Sequence, residues 1–417
     1  MQRTKALKTM VKYSDIKVVS EQQFSAFKED HSLPRELLPS LPLENSTHAL
    51  VISGIRRCGK STLMRQHIGK QIQDAFYLNF DTPKLFHFEI QDFELLDTLI
   101  QESGKRNLYF DEIQVVEGWE LYVRQKLDEK FNVCITGSNA SLLSKELGTK
   151  LTGRHISKEL FPFSYAEYLH YHTLKADDTS FMSYLNDGGF PEYVRTKNGD
   201  ILSALFDDIL YRDIAVRYGV RDVTSLKALL LYLAANYGNL VSANKLSGII
   251  GIKSPKTVLE YMSYFEEAYL INRIPKFSWS LKVQSLNPQK VYFIDTALSK
   301  EITVSFTDNT GRLLENVVYW ELRRHYKQLY YFNENNSECD FVVCEKNTPV
   351  MLIQVCLTLN RENQKREIDG VHEAMKYFKM DKGFIITLNQ TDKIRVESGW
   401  IDVIPVYELD KYLLKSL

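Results

Sequence analysis

The sequence predicts an α/β fold in which a parallel sheet carries helices on both faces, followed by a helical stretch and a second α/β domain. Three observations predict it. The loop Gly54-Ile55-Arg56-Arg57-Cys58-Gly59-Lys60-Ser61 stands between an apolar, β-branched run and a helical one. Further apolar runs at 75–81, 107–112 and 131–136 alternate with helical patterns. Each run ends in polar residues, at the carboxyl edge where open α/β sheets bind ligands.

Residues 48–53 read as a buried strand. Residues 60–73 contain no Pro and one Gly, Gly69, and read as a helix. The spacing G-x-x-x-x-G-K-S between them has a mechanical reason. Glycines let backbone N–H groups turn inward around the α- and β-phosphates, and the helix N-terminus adds a positive dipole end. Lys60 reaches the β/γ oxygens as a point charge, and the Ser61 hydroxyl ligates Mg²⁺. Gly54, Ile55, Arg56, Arg57, Cys58, Gly59, Lys60, Ser61 and Thr62 are therefore the candidate residues for ATP or ADP. The expected class is a P-loop NTPase.

The strand 107–112 ends in Asp111 and Glu112. An apolar strand ending in two acids supplies the second half of a nucleotide site. Asp111 is expected to hold Mg²⁺, directly or through water. Glu112, one residue on, can orient and deprotonate an attacking water. Gly137-Ser138-Asn139 follows the next strand. Asn139 can reach the γ-phosphate or the lytic water, and Ser138 or Asn139 can cap a helix over 140–145; both can hold at once, and the sensing role is favoured. Arg154 precedes a further strand at 155–160. Its planar, permanent charge either stabilises a transferring phosphoryl group or forms a surface ion pair. Ser164-Tyr165-Ala166-Glu167 is a capping box that starts a new helix.

Composition narrows the partners. With 417 residues the chain has room for two or three domains. Lys+Arg 52 against Asp+Glu 53 leaves a net charge of −1, so any nucleic-acid surface must be local. Cys58, Cys134, Cys339, Cys344 and Cys356 form no C-x-x-C pair, and reduced thiols suit a cytoplasmic setting. No apolar run approaches ~18 residues, so no membrane span is expected. The basic N-terminus lacks the apolar segment of a secretory signal.

The chain resembles the prokaryotic AAA-type ATPases that carry a C-terminal restriction-endonuclease-like domain of unknown function. The resemblance rests on Gly54 to Ser61, Tyr77-Leu78-Asn79-Phe80-Asp81, Tyr109 to Gln114, Ile135-Thr136-Gly137-Ser138, Leu151 to Arg154 and Leu160-Phe161-Pro162-Phe163-Ser164. With the C-terminal motifs it covers nearly the whole chain. It implies that Arg154 acts on a neighbouring subunit's nucleotide in a homo-oligomer, and that Asn79 steers Glu112 in and out of its active position.

Four segments are expected: an N-terminal segment at 1–30, an AAA-type P-loop domain at 31–163, a helical and winged-helix-like region at 164–286, and a restriction-endonuclease-like domain at 287–417. In the third, helices over 226–235 and 243–249 and one opening at Ser254-Pro255 precede a β-like run at 270–274. The third helix carries Lys256 against Glu260, Glu266 and Glu267, the wrong sign for a phosphate backbone. DNA binding is open but not favoured over a lid or a protein-docking role. In the last segment a strand at 291–294 is expected to open the domain. The resemblance implies a Mg²⁺ site built from a helical Glu, a strand Asp and an E-x-K. Glu315 and Asp340 are present, but Gln354-Val355-Cys356 stands where E-x-K belongs. Gln loses the negative charge, and Cys cannot replace a lysine beside an anionic transition state. The site is expected to be degenerate, with nuclease activity lost.

Overall fold

The computed structural model describes residues 11–25, 27, 32–43, 47–138, 151, 153–303, 310–335 and 337–413. The chain forms two compact units, Met1–Leu160 and Phe161–Leu417.

The first unit is built on strands β1 (Ala49–Ser53), β2 (Ala75–Asn79), β3 (Asn107–Asp111), β4 (Asn132–Gly137) and β5 (His155–Glu159). They form one sheet in the order β2-β3-β4-β1-β5, with every pair parallel. β1 and β3 are buried at every residue, which explains why they read as unbroken apolar runs rather than alternating ones. The register pairs Ser53 with Gly137 and Asn79 with Asp111, so the polar tips of the strands share one edge.

Helices α1 (Tyr13–Ser25), α2 (Lys60–Gly69), α3 (Phe93–Ser103) and α4 (Trp119–Asp128) accompany this sheet. Leu96, Ile100, Trp119, Val123 and Leu127 pack with Val51, Leu78, Leu108 and Phe110 in the core. The helix after the loop stops at Gly69 rather than continuing to 73, and a short 3₁₀ turn, Ile72–Asp74, leads into β2. Glycine's low helix propensity accounts for that early stop. The N-terminal segment packs onto the sheet. Ile16 and Val19 of α1 join the core, and Gln23 exchanges two hydrogen bonds with the backbone of Asn79, at 2.8 and 3.1 Å. α1 thereby covers the free edge of β2, which would otherwise expose unpaired backbone groups.

The second unit begins with helices. Ser164 and Glu167 form the expected capping box, each side chain accepting from the other's backbone N–H at 3.0 Å. Further on, the α-helix Gly199–Asp207 continues as a π-helix, Asp208–Val216. Then come helix Val223–Ala235, strand β6 (Leu240–Val241), helices Ala243–Ile250 and Pro255–Glu267, strand β7 (Ile271–Ile274), the short helix Leu281–Leu286 and strand β8 (Gln289–Phe293). Ser254 caps the third of these helices by accepting from Thr257 N–H at 3.2 Å. β8, expected to open the last domain, pairs instead with β7 and β6 in a three-stranded sheet of order β6-β8-β7.

Helix Thr310–His325 then leads into β9 (Gln328–Glu334), β10 (Ser337–Glu345) and β11 (Thr348–Val355), followed by helix Gln364–Phe378 and β12 (Lys382–Thr387), β13 (Asp392–Val396) and β14 (Gly399–Pro405). These six strands form a mixed sheet of order β13-β14-β12-β11-β10-β9, antiparallel through β9-β10-β11 and parallel from β11 to β12.

Candidate functional site: the loop after β1 and the tips of β3 and β4

Arg57 (φ 62°) and Gly59 (φ 102°) both take positive φ in the loop after β1. Alternating left-handed residues turn successive N–H groups into a concavity suited to an anion. A β-carbon at Gly54 would lie 2.0 Å from the Leu160 carbonyl, so the first glycine is required by space. Cys58 packs beneath the loop, its thiol donating to that carbonyl at 3.3 Å. Burial pushes this thiol's pKa up, so it stays protonated and serves as a donor.

Lys60, 4% exposed, donates to the carbonyls of Gly54 and Ile55, both at 3.1 Å. Its ammonium is 3.8 Å from Glu112 Oε1. The loop and the tip of β3 therefore meet through this lysine. Ser61 and Thr62 occupy the first turn of α2.

Asp111 is fully buried at the end of β3. Its Oδ2 accepts from Tyr77 at 2.7 Å and from Asn79 Nδ2 at 3.2 Å, and its Oδ1 accepts from the Thr136 hydroxyl. Burial, followed by the charge of Asp111, drives the Tyr77 hydroxyl pKa far up, which keeps it a donor. Thr136, on β4 between β1 and β3, also accepts from the Glu112 N–H at 3.0 Å. One hydroxyl thus links both acids. Glu112 itself has φ 51°, turned out of the strand, and its carboxylate accepts from Gln114. Tyr77, Thr136 and Gln114 entered the sequence reading only as parts of the family resemblance, with no role given to them. Thr136 carried a faint signal, a polar residue closing an apolar strand beside Gly137.

Asn79, which the family resemblance tied to Glu112, instead bonds Asp111 and the Asp81 N–H, the latter at 2.8 Å. Asn139 lies outside the described residues. Arg154 donates to Asp128 at 2.5 Å and to the Thr47 carbonyl at 3.1 Å. Its own carbonyl accepts from Ala49 N–H, which puts it at the start of β1, a strand's length of roughly 16 Å from the loop.

The second group of expected residues assembles differently. Glu315, Asp340 and Gln354 come together, but Cys356 packs into the apolar core with Cys339, Leu352 and Val371. Burial, then the charges of Glu367 and Asp340, pushes the Cys356 thiol up to about 12. At the centre stands a residue that sequence reading passed over. Lys290 of β8, 3% exposed, approaches Asp340 Oδ1 at 2.6 Å, Glu338 at 2.8 Å and Glu315 Oε1 at 3.2 Å. Burial alone would lower its pKa; the three carboxylates overcome that and hold it well above the usual lysine value. Tyr292, two residues along the same face of β8, donates to Glu315 Oε1 at 2.7 Å. Asp340 Oδ2 accepts from Val355 N–H at 2.9 Å, and Gln354 bridges Asp340 N–H and Glu367. Arg366 pairs with Glu367. A divalent cation joining Glu315 Oε1 to Asp340 Oδ1 would have to lie where the ammonium already sits. These residues do not fit a Mg²⁺ site.

The all-parallel sheet, the glycine-bracketed loop on α2 and the acids at the tip of β3 define a P-loop ATPase of the AAA type. Family comparison agrees: a model described as an AAA domain matches residues 46–169, followed by a domain of unknown function (DUF8612) at 178–308 and another (DUF4143) at 310–409. Uncharacterized protein MJ1544 of Methanocaldococcus jannaschii is 34% identical over 389 residues, covering 86% of this chain and 87% of that protein. An uncharacterized protein of Haemophilus influenzae is 34% identical over 355 residues, covering 79% and 87% respectively. The chain is an AAA-type ATPase by its own AAA domain and belongs to the same family as these two uncharacterized relatives. Among solved structures, AMPPCP-bound DnaA from Aquifex aeolicus is 16% identical, covering 60% of this chain and 89% of that one with a TM-score of 0.28. An overlay that loose transfers nothing. Among the described residues, no helix is long and apolar enough to cross a membrane.

Proposed function

We propose that this chain binds and hydrolyses ATP in a Mg²⁺-dependent manner, and that its nucleotide state sets the arrangement of the second unit, with binding or assembly as the output. One observation carries the reading: Lys60 bridges the loop carbonyls and Glu112, so phosphate-loop and acid-tip chemistry share one point. The oxygen donors Ser61 and Asp111 suit a hard cation, which would neutralise charge on the β/γ-phosphate oxygens. Lys60 leaves its carbonyls for the phosphate tail. Glu112, released from Lys60, orients the attacking water and takes its proton. Thr136 keeps Asp111 and Glu112 in register while this happens.

Arg154 lies too far from its own loop to act there, which supports a role on a neighbouring subunit's nucleotide once Asp128 releases it. The order helix–strand–helix–helix–strand over 223–274, with β8 returning after the short helix Leu281–Leu286 to pair with β6 and β7, supports a winged-helix-like module. Its third helix exposes Leu259 and pairs Lys256 with Glu260, and the segment between β7 and β8 exposes Trp279, Leu281 and Leu286. Apolar residues at those places favour a protein partner over duplex DNA. The order helix, three strands, helix, strand over 310–387 supports a restriction-endonuclease-like last domain that begins after β8 rather than at 287, because β8 pairs with β6 and β7. Lys290 among its carboxylates speaks against the rival reading, an ATP-gated DNA-cleaving enzyme.

Calorimetric titration with ATP and ADP, with and without Mg²⁺, tests the first reading beside Lys60→Ala. Binding heat in the parent and none in the variant is expected. Plasmid nicking with Mg²⁺ or Mn²⁺ that disappears in Asp340→Ala would reverse the second.

A further inference from the structure

Arg35 lies outside every motif in the sequence. Its guanidinium is buried, 3% exposed, and Nη1 donates to the Cys58 carbonyl at 2.7 Å. Cys58 immediately precedes Gly59 in the loop. In a trans peptide the carbonyl and the following N–H point in opposite directions. A cation that holds the Cys58 carbonyl outward therefore holds the Gly59 N–H toward the inside of the loop. This peptide lies beside two residues of positive φ, where no helix or sheet ladder sets its tilt. A hydrogen bond with a charged donor is strong enough to choose one.

The arginine is itself held by the helix that the loop introduces. Arg35 N–H donates to Gln66 Oε1 at 3.2 Å, and Gln66 Nε2 donates to the Leu33 carbonyl at 2.7 Å and the Ser32 hydroxyl at 2.8 Å. The next residue of α2, His67, bonds the Pro42 carbonyl through Nε2 at 3.0 Å. Residues 32–43 thus form a strap tied to α2, with the Arg35 side chain reaching the loop. A β-carbon at Gly59 would meet Arg35 Nη1 at 2.9 Å, so the second glycine makes room for this contact as well as for the turn.

We infer that Arg35 is a positioning residue of the nucleotide site: by fixing the Cys58–Gly59 peptide it aims one loop N–H at the phosphate tail. It acts through the loop and touches no reacting atom. The inference rests on the ATP-binding reading above.

The test uses the full chain and compares the parent with Lys60→Ala, Arg35→Ala, Arg35→Lys and Gln66→Ala. It measures ADP affinity by calorimetry, KM and kcat for ATP, and the unfolding midpoint without nucleotide. Arg35→Ala is expected to raise KM and the ADP Kd about tenfold, one hydrogen bond's worth, with kcat within about threefold of the parent. Arg35→Lys, whose ammonium can still reach a carbonyl, recovers most of that loss. Gln66→Ala moves KM in the same direction and less. An Arg35→Ala protein with the parent's KM and Kd overturns the inference, as does a kcat that falls in step with a rising KM in both arginine variants. If Arg35→Ala does not fold, unchanged KM in both Arg35→Lys and Gln66→Ala sustains nothing beyond structure and also overturns it. A parent that gives no heat with ATP or ADP brings down the nucleotide reading instead. A binding parent with an indifferent Arg35→Ala brings down this inference alone.

Discussion

Lys60 and Lys290 are both almost wholly buried, 4% and 3% exposed, and both face carboxylates, yet their ammonium groups are held in different ways. Lys60 donates to two neutral carbonyls and stands 3.8 Å from its one acid. Lys290 lies within 3.2 Å of three acids. An ammonium on carbonyls can move to an incoming anion and leave behind two neutral carbonyls and the partly exposed Glu112. An ammonium locked among carboxylates cannot leave, because the acids behind it would remain buried and uncompensated. Two lysine–carboxylate groups in one chain therefore serve opposite ends, one open to exchange with a ligand and the other closed upon itself.

The comparison is broken or sharpened first at Lys60. Lys60→Ala and Glu112→Gln should each lower ATP turnover by a hundredfold or more, while Glu112→Gln retains nucleotide binding. Steady-state phosphate release beside calorimetry reads both. At Lys290 the effect should fall on stability instead. Lys290→Met leaves Asp340 and Glu315 without their cation and should cost about 3–5 kcal/mol by denaturant unfolding. Mn²⁺ should raise the melting temperature of that variant and leave the parent's unmoved. A parent that melts higher with Mn²⁺ would show that the ammonium does not exclude a metal.

Thr136→Val removes the hydroxyl shared by Asp111 and Glu112. It should destabilise the first unit by about 1–3 kcal/mol, the cost of a buried polar group losing its partner, and lower turnover at saturating ATP. Arg154→Ala should leave the melting temperature alone, since its ion pair with Asp128 is a surface one. Turnover that rises with protein concentration in the parent, but not in this variant, is the expected signature of an arginine working across a subunit boundary.

A last effect concerns pH. Burial and then the neighbouring Asp340 charge raise the Glu315 pKa from 4.5 to about 7, against the opposing pull of Lys290. The native state then binds more protons than the unfolded chain between those values. The contribution of Glu315 is complete below 4.5 and is lost as pH rises through about 7. Asp295, raised to about 6 by burial, drifts in the same direction. The difference between parent and Glu315→Gln, followed by unfolding from pH 4 to 8, isolates the first group.

Legibility in the sequence followed the range of each interaction. The loop, its flanking strand and helix, and the pair Asp111–Glu112 are local patterns, because a strand–turn–helix with glycines at set spacing has few other uses. The capping residues Ser164 and Ser254 were equally readable, since each satisfies an N–H three residues away. Arg35 and Lys290 were not readable. Arg35 meets a carbonyl 23 residues later in the chain, and Lys290 meets acids 25 and 50 residues away.

What the sequence determined by itself is the order of strands and helices and the nucleotide loop. Apolar periodicity and glycine spacing act within one element and its neighbour. Which strand lies beside which, and so which hydroxyl reaches Asp111 or which ammonium sits against Asp340, was decided only in three dimensions. β8 shows the reason. Nothing in Lys290-Val291-Tyr292 states whether it completes the sheet before it or the one after. Its pairing with β6 and β7 carries Lys290 to the acids of the following helix and strand. Burial of the ammonium and of Asp340 makes such a placement obligatory once formed, because separating them would leave a buried charge without its partner.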